Sequence, residues 1–234
     1  MIILLSKSSL NDNYSSWLRR LNPHIHLSDA YMKSNLSLNK LIMRCSGILL
    51  TGGADINPAR YGQTMEISRC ESLDDVRDEL ELKLVAASLE KRIPLLAICR
   101  GLQMINIYFN GTLVVDIPSD YGKRVEHRNK TDVNHNITIA IDSDLYKYGL
   151  ACEYVVNSSH HQSISSIGSS LIPVAWSDDN LVEAVQLNPQ LDHPFFIGVQ
   201  WHPERMKVNH PMSGDIGRAF LRKAEEFRYK QLTG

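Results

Sequence analysis

The segment Pro94-Leu95-Leu96-Ala97-Ile98-Cys99-Arg100-Gly101-Leu102-Gln103-Met104-Ile105 reads as a short buried strand running straight into a helix. Pro94 ends whatever helix precedes it, and the four apolar residues that follow suit a strand covered on both faces. Gly101, Met104, Ile105 and Tyr108 suit a helix packed back onto the sheet. Only a sharp turn fits between the two, and it falls at Cys99. The sulfur then lies at the carboxyl edge of the sheet and at the amino end of a helix, where the helix dipole and free amides favour a thiolate. An isolated buried cysteine is more often structural. Strand, cysteine, glycine two residues on and helix together point instead to a nucleophile.

The rest of the chain extends the same pattern on either side. Met1 to Leu5 is a first apolar run, followed by helical spacing over Tyr14 to Leu21 and Leu36 to Cys45, and a strand over Gly47 to Thr51. Gly52 to Gln63 carries Gly-Gly, Asn-Pro and Tyr-Gly and reads as a loop. Leu73, Val76, Leu80, Leu84, Val85 and Leu89 recur at helical spacing, which predicts an amphipathic helix over Leu73 to Arg92. After Thr112 the chain turns to strands: Leu113 to Asp116, Ile137 to Ile141, Tyr154 to Asn157, Leu171 to Trp176, Leu181 to Leu187 and Phe195 to Trp201. Ile216, Phe220, Ala224 and Phe227 mark a final helix. Alternating strands and helices predict an α/β fold with a mainly parallel central sheet flanked by helices, with antiparallel strands added, as a single domain over residues 1–234.

Composition narrows the function. Among 234 residues, 25 Lys plus Arg against 26 Asp plus Glu leave a net charge of −1, which offers nucleic acid no basic footprint. Hydrophobic residues at 43% and charged residues at 22% argue for an ordered globular chain rather than a disordered one. The opening apolar run stops at Ser6, far short of the ~18 residues a membrane span needs, so no membrane association and a cytoplasmic location are expected. Cys45, Cys70, Cys99 and Cys152 are scattered, and the nine histidines show no metal-ligand spacing. The reading is reduced thiols and no metal site.

A thiol nucleophile needs a base held by a third group. Phe195-Phe-Ile-Gly-Val-Gln-Trp-His202-Pro-Glu204 supplies one after the last strand. In extended chain, residues two apart point the same way, so Glu204 can fix the His202 tautomer and favour its protonated form. Acyl chemistry also needs donors for a developing oxyanion. Gly52-Gly53 follows a buried strand just as Cys99 does, so a glycine amide of that pair and the Arg100 amide are the candidates.

These residues carry a family resemblance. Leu50-Thr-Gly-Gly-Ala-Asp-Ile-Asn-Pro58, Ala97-Ile-Cys-Arg-Gly-Leu-Gln103, Val156-Asn-Ser-Ser-His-His-Gln162, Leu181-Val-Glu-Ala-Val185 and Gly198-Val-Gln-Trp-His-Pro-Glu204 occur in family order. Together they resemble the gamma-glutamyl hydrolase branch of the class I glutamine amidotransferase-like superfamily. Asp179-Asn180 stands where Asp-Gly is common, a change a turn with positive φ tolerates. The resemblance implies a flavodoxin-like fold, with Cys99 as nucleophile, His202 as base, Glu204 as its orienting partner, and Gly53 and Arg100 as the main-chain oxyanion donors. It further implies that Gln103, His160, His161 and Gln162 line the substrate site. The expected reaction is hydrolysis of a gamma-glutamyl amide through a glutamyl thioester, with a small-molecule substrate and no cofactor. Two alternatives stay open: a glutaminase subunit feeding ammonia to a separate synthase chain, since nothing after Glu204 is long enough for a synthase domain, and a catalytically inactive binding homologue. A homodimer also stays open.

Overall fold

Apolar runs of four residues lie side by side at the centre of the molecule, each too short to close a helix and each buried on both faces. The computed structural model describes residues 1–7 and 12–233. In chain order its strands and helices are β1 (Ile2–Leu5), α1 (Asn13–Leu21), β2 (His26–Asp29), α2 (Asn35–Arg44), β3 (Gly47–Leu50), α3 (Asp75–Lys91), β4 (Leu95–Ile98) and α4 (Arg100–Tyr108). They continue as β5 (Thr112–Val114), α5 (Ile117–Asp120), β6 (Val133–Ile139), α6 (Asp144–Gly149), β7 (Glu153–Ser158), β8 (Ser163–Ser166), β9 (Leu171–Ser177), β10 (Val182–Leu187), β11 (Phe196–Val199) and α7 (Ile216–Thr233).

Among the described residues, nine strands form one sheet in the order β2-β1-β3-β4-β11-β10-β9-β6-β7, and β5 pairs with β8 as a separate ribbon. Pairings from β2 across to β11 are parallel. From β11 to β7 they are antiparallel. The α/β class and the central sheet flanked by helices are as the alternation of elements predicts.

Alternate residues of each parallel strand enter opposite layers. Leu4, Ile48, Leu50, Leu95 and Ala97 join a core with Leu38, Leu80, Leu84, Leu102 and Ile105 of α2, α3 and α4. Ile3, Leu5, Leu49, Leu96 and Ile98 join the other core with Trp17, Leu18, Phe220 and Ala224 of α1 and α7. Full burial of one such leucine contributes about 1.5–3 kcal/mol. Side chains on α4 could not sit this low over the sheet without Gly101, whose missing Cβ would stand 2.7 Å from the Leu50 carbonyl oxygen.

The helix after the Gly-Gly loop departs from its apolar reading. Asp74 caps α3 by accepting the Arg77 amide at 3.1 Å, leaving Leu73 outside the helix, and Val76 is exposed. Leu80, Leu84 and Val85 are buried as the periodicity predicts, and the buried face also includes the charged residues Arg77, Asp78 and Glu81. Asp78 and Glu81 pair with Arg100, and Arg77 pairs with Glu81, so ionic partners share the buried face with the leucines. Two strands escape the sequence reading, β2 and β8, because His26-Leu-Ser-Asp29 and Ser163-Ile-Ser-Ser166 carry little apolar alternation. No helix among the described residues is long and apolar enough to cross a membrane.

Candidate active site

Because β3, β4 and β11 run parallel, the residues that follow them emerge at one edge: Gly52 after β3, Cys99 after β4 and His202 after β11. Cys99 caps α4 with φ 52° and ψ −105°. A non-glycine residue at positive φ stores about 1–3 kcal/mol of strain and persists only where its surroundings enforce it. Here the strand ladder holds its amide, which donates to the Val199 carbonyl at 2.8 Å, while its carbonyl accepts from the Gln103 amide at 3.2 Å. Cys99 is 7% exposed.

His202 and Glu204 sit in a 3₁₀ turn over Pro203–Arg205, not in extended chain as the two-residue spacing suggested. Pro203 fixes the first position of that turn, and the pair still meets: His202 Nδ1 lies 2.8 Å from Glu204 Oε1. A carboxylate only accepts, so Nδ1 carries the proton. The His202 amide donates to Asn157 Oδ1 at 3.1 Å, anchoring the turn to β7. Its Nε2 is buried with no hydrogen-bond partner among the described residues. The Cys99 and His202 side chains converge over Gly52, where a Cβ would lie 3.4 Å from Cys99 Cβ and 3.1 Å from His202 Cε1. Burial opposes the charged imidazole, but the neighbouring Cys99 and Glu204 outweigh it and push the His202 pKa up to about 10.

The Gly52-Gly53 loop is held from behind. Arg77 donates to the Thr51 carbonyl at 2.7 Å, to Thr51 Oγ1 at 2.9 Å and to the Gly52 carbonyl at 2.9 Å. Its guanidinium lies so close that a Cβ on Gly53 would collide with it. In a planar trans peptide the N–H opposes the carbonyl, so the Gly53 amide points away from Arg77. Arg100 takes a structural place: its side chain is buried, paired with Asp78 and Glu81, and donates to the Ala54 carbonyl at 2.8 Å. Only its amide, in the first turn of α4, remains for chemistry.

A cavity of about 260 Å³ opens over Cys99. Gln103, His160, His161 and Gln162 all line it, together with Gly53, Asp55, Glu71 and Arg128. Gln103 Nε2 donates to the Gln162 carbonyl at 3.2 Å and to Gln200 Oε1 at 3.3 Å. His161 is held between carboxylates, with Nε2 3.1 Å from Asp55 Oδ1 and Nδ1 3.2 Å from Asp116 Oδ1. Burial alone would lower its pKa; Asp55 and Asp116 raise it instead. His160 differs, because its Nδ1 engages the Gln162 carbonyl at 2.9 Å and its Nε2 faces Glu183 at 3.5 Å. Burial pushes its pKa down to about 3, so it forms a neutral wall of the cavity.

Sequence reasoning missed several neighbours. Tyr14 of α1 accepts the Gly52 amide at 2.8 Å, and nothing in its surroundings in the chain marks it. Asp55 lies inside the quoted Gly-Gly stretch, yet its bond to His161 spans more than a hundred residues. Arg128, paired with Glu71 at 2.6 Å, belongs to a polar segment without periodicity.

Comparison with known proteins identifies the family and the fold. The Peptidase C26 family profile matches residues 29–204. The chain is 33% identical over 215 residues to a glutamine amidotransferase-like protein of Rickettsia prowazekii, covering 74% of this chain and 75% of that one. It is 31% identical over 194 residues to the gamma-glutamyl-gamma-aminobutyrate hydrolase PuuD of Escherichia coli K12, covering 79% and 74%. Among solved structures, a GMP synthase subunit from Thermoplasma acidophilum superposes with a TM-score of 0.66 at 17% identity, over 99% of this chain and 97% of that one. The glutaminase domain of Trypanosoma brucei CTP synthase superposes with a TM-score of 0.64 at 17% identity, over 96% and 93%. These two likenesses are of fold. The chain therefore belongs to the Peptidase C26 family, among the class I glutamine amidotransferase-like proteins, and that membership supports a hydrolase.

Proposed function

We propose that the chain hydrolyses a gamma-glutamyl amide to glutamate and a free amine through a thioester on Cys99. The observation that carries this reading is a cysteine at positive φ beside a buried His202–Glu204 pair, at the floor of a cavity bearing both signs of charge. In the first half-reaction the Cys99 thiolate adds to the γ-carbonyl carbon. The oxygen's developing charge is met by the amides of Gly53 and Arg100. The carbon–nitrogen bond then breaks as the His202 imidazolium gives its proton to the departing amine. In the second, neutral His202 takes a proton from water, the hydroxide adds to the thioester, and the carbon–sulfur bond breaks. Glutamate leaves, and thiolate and imidazolium are restored. Glu204 acts throughout by holding the imidazole's orientation and charge.

The cavity suits the recognised half of such a substrate. A gamma-glutamyl group ends in an α-ammonium and an α-carboxylate, and Arg128 stands there beside Glu71 and Asp55. Gln103, His161 and Gln162 offer polar walls along the chain between. The name of the E. coli relative, which specifies a gamma-glutamyl amide of an amino acid, supports the same class.

The test is glutamate release by the purified chain alone, from glutamine and from gamma-glutamyl amides of differing size and charge. We expect at least one amide to exceed glutamine in kcat/KM, because a site built for gamma-glutamyl amides gains binding from an amine larger than ammonia. Glutamine preferred over every amide, or turnover only after addition of a second protein, would make the chain a glutaminase subunit instead.

A further inference from the structure

Four residues that the proposed reaction leaves unused meet inside the antiparallel half of the sheet. His135 lies on β6 and Glu183 on β10, while His127 precedes β6 and His160 follows β7. Their exposures are 7%, 0%, 4% and 4% respectively. Glu183 Oε1 stands 3.5 Å from His135 Nε2, 3.5 Å from His160 Nε2 and 3.7 Å from His127 Nδ1.

The far nitrogen of each ring fixes its tautomer. His127 Nε2 lies 3.0 Å from Asp179 Oδ2, His135 Nδ1 lies 3.1 Å from the Asn136 carbonyl, and His160 Nδ1 lies 2.9 Å from the Gln162 carbonyl. Those partners are acceptors only, so each far nitrogen carries the proton, and the nitrogen facing Glu183 in a neutral ring presents a lone pair. Three lone pairs thus converge on a carboxylate. All three nitrogens and both Glu183 oxygens lack a hydrogen-bond partner among the described residues. Acceptors gathered in a buried site repel one another, and a cation among them turns each repulsion into attraction. A proton on Glu183 satisfies one lone pair and leaves two.

We propose that His127, His135, His160 and Glu183 bind a divalent transition-metal ion, zinc being the best match, as a structural clamp beside the active site. Around a tetrahedral zinc the donors sit about 3.4 Å apart, given bond lengths of about 2.0–2.1 Å. The three carboxylate-to-imidazole separations are close to that, and all four donor atoms lie within 4.8 Å of one another, so side-chain adjustments close the shell. Three imidazoles and one carboxylate favour zinc, cobalt, nickel or copper over magnesium or calcium. The outer partners are in place: each imidazole donates to an oxygen, and Asp179, the partner of His127, is itself held by Ser177 Oγ at 2.6 Å. A surface depression is lined by His127 and His160 together with Ile117 and Pro118, so two of the four ligands border a solvent-facing recess.

The clamp has a structural target. The His127 carbonyl already accepts from Ser158 Oγ at 2.7 Å and from the His160 amide at 3.0 Å, and the Glu183 carbonyl accepts from the Gln200 amide at 2.7 Å. A metal here would fix the wall carrying His161 and Gln162 and the backbone leading to His202. This inference does not depend on the reaction proposed above.

Metal content decides it. Untagged protein purified without chelator from zinc-supplemented cells should carry about one equivalent of zinc per chain by elemental analysis. Replacement by cobalt should give the visible absorption of a tetrahedral cobalt ion, and stripping with dipicolinate should lower Tm until zinc is restored. Asp179→Asn should weaken zinc affinity about 10–100-fold, and His135→Asn should abolish binding, whereas His193→Asn, a histidine outside the cluster, should retain it. Wild-type protein with under about a tenth of an equivalent of any transition metal, no cobalt absorption and no Tm response to added zinc overturns the proposal. That result stands whether or not the variants fold.

Discussion

In the parallel half of the sheet every side chain of β3, β4 and β11 is buried and all are apolar. In the antiparallel half β6 alternates, exposing Asn134, Asn136 and Thr138 while burying His135, Ile137 and Ile139, and β10 buries Glu183 and Gln186 among its apolar residues. Strands covered by helices on both faces leave no room for polar groups along their length, so their chemistry moves to the residue just past each carboxyl end. Strands with a solvated face can carry polar side chains inward one at a time. The parallel half therefore keeps its reactive groups in contiguous stretches, whereas the antiparallel half assembles its polar cluster from positions far apart in the chain.

The largest effect expected from that division is at a strand end. Cys99→Ala should lower turnover by about four powers of ten or more with little change in Tm, because the thiol serves bond-making more than packing. Retention of a tenth of the wild-type rate would point to another nucleophile and undo the assignment of chemistry to this edge.

A smaller defect is expected from Glu204→Gln, about 10- to 1000-fold in kcat with KM changing less, since the amide can still orient the imidazole but no longer stabilises its charge. The pH profile sharpens this. His202 has its pKa raised to about 10, so its protonated form persists through neutral pH, and the alkaline limb of kcat/KM should fall near pH 10. The sign for stability is the same: a raised pKa contributes fully below the unfolded value of about 6.5 and is lost as pH rises through the folded one. In Glu204→Gln the alkaline limb should move to lower pH. An unmoved limb would separate Glu204 from the imidazole.

The two halves should also differ in tolerance. Leu49→Ala on β3 removes a side chain buried in the core and should cost about 2–5 kcal/mol. Thr138→Ala on the solvated face of β6 should cost under about 0.5 kcal/mol. Denaturant unfolding measures both, and equal losses would mean that the antiparallel half is not one-sided.

Legibility in the sequence follows the same boundary. Cys99, Gly101 and the strand before them could be read together because strand, turn and helix follow within a dozen residues, and Cys99 at φ 52° is the turn that reading requires. Asn180 has φ 66°, as an Asx residue in a tight turn can. The His202–Glu204 pair was visible as residues but not as geometry, since Pro203 bends it into a turn rather than a strand. The charged part of the buried face of α3 was unreadable because Arg77, Asp78 and Glu81 look like surface charges until Arg100 is folded against them, while Leu80, Leu84 and Val85 are buried as their spacing predicts. His127, His135, His160 and Glu183 show no ligand spacing at all, and only the sheet order brings β6 and β10 close enough to gather them.

The covalent intermediate is the most direct test of the account. A gamma-glutamyl amide turned over by the purified chain, quenched in acid within the first turnovers and mapped by mass spectrometry, should show a glutamyl adduct on the peptide containing Cys99 and on no other. The adduct should vanish in Cys99→Ala along with glutamate release. Glutamate formed at an undiminished rate by Cys99→Ala, or an adduct mapped to Cys45, Cys70 or Cys152, would contradict it.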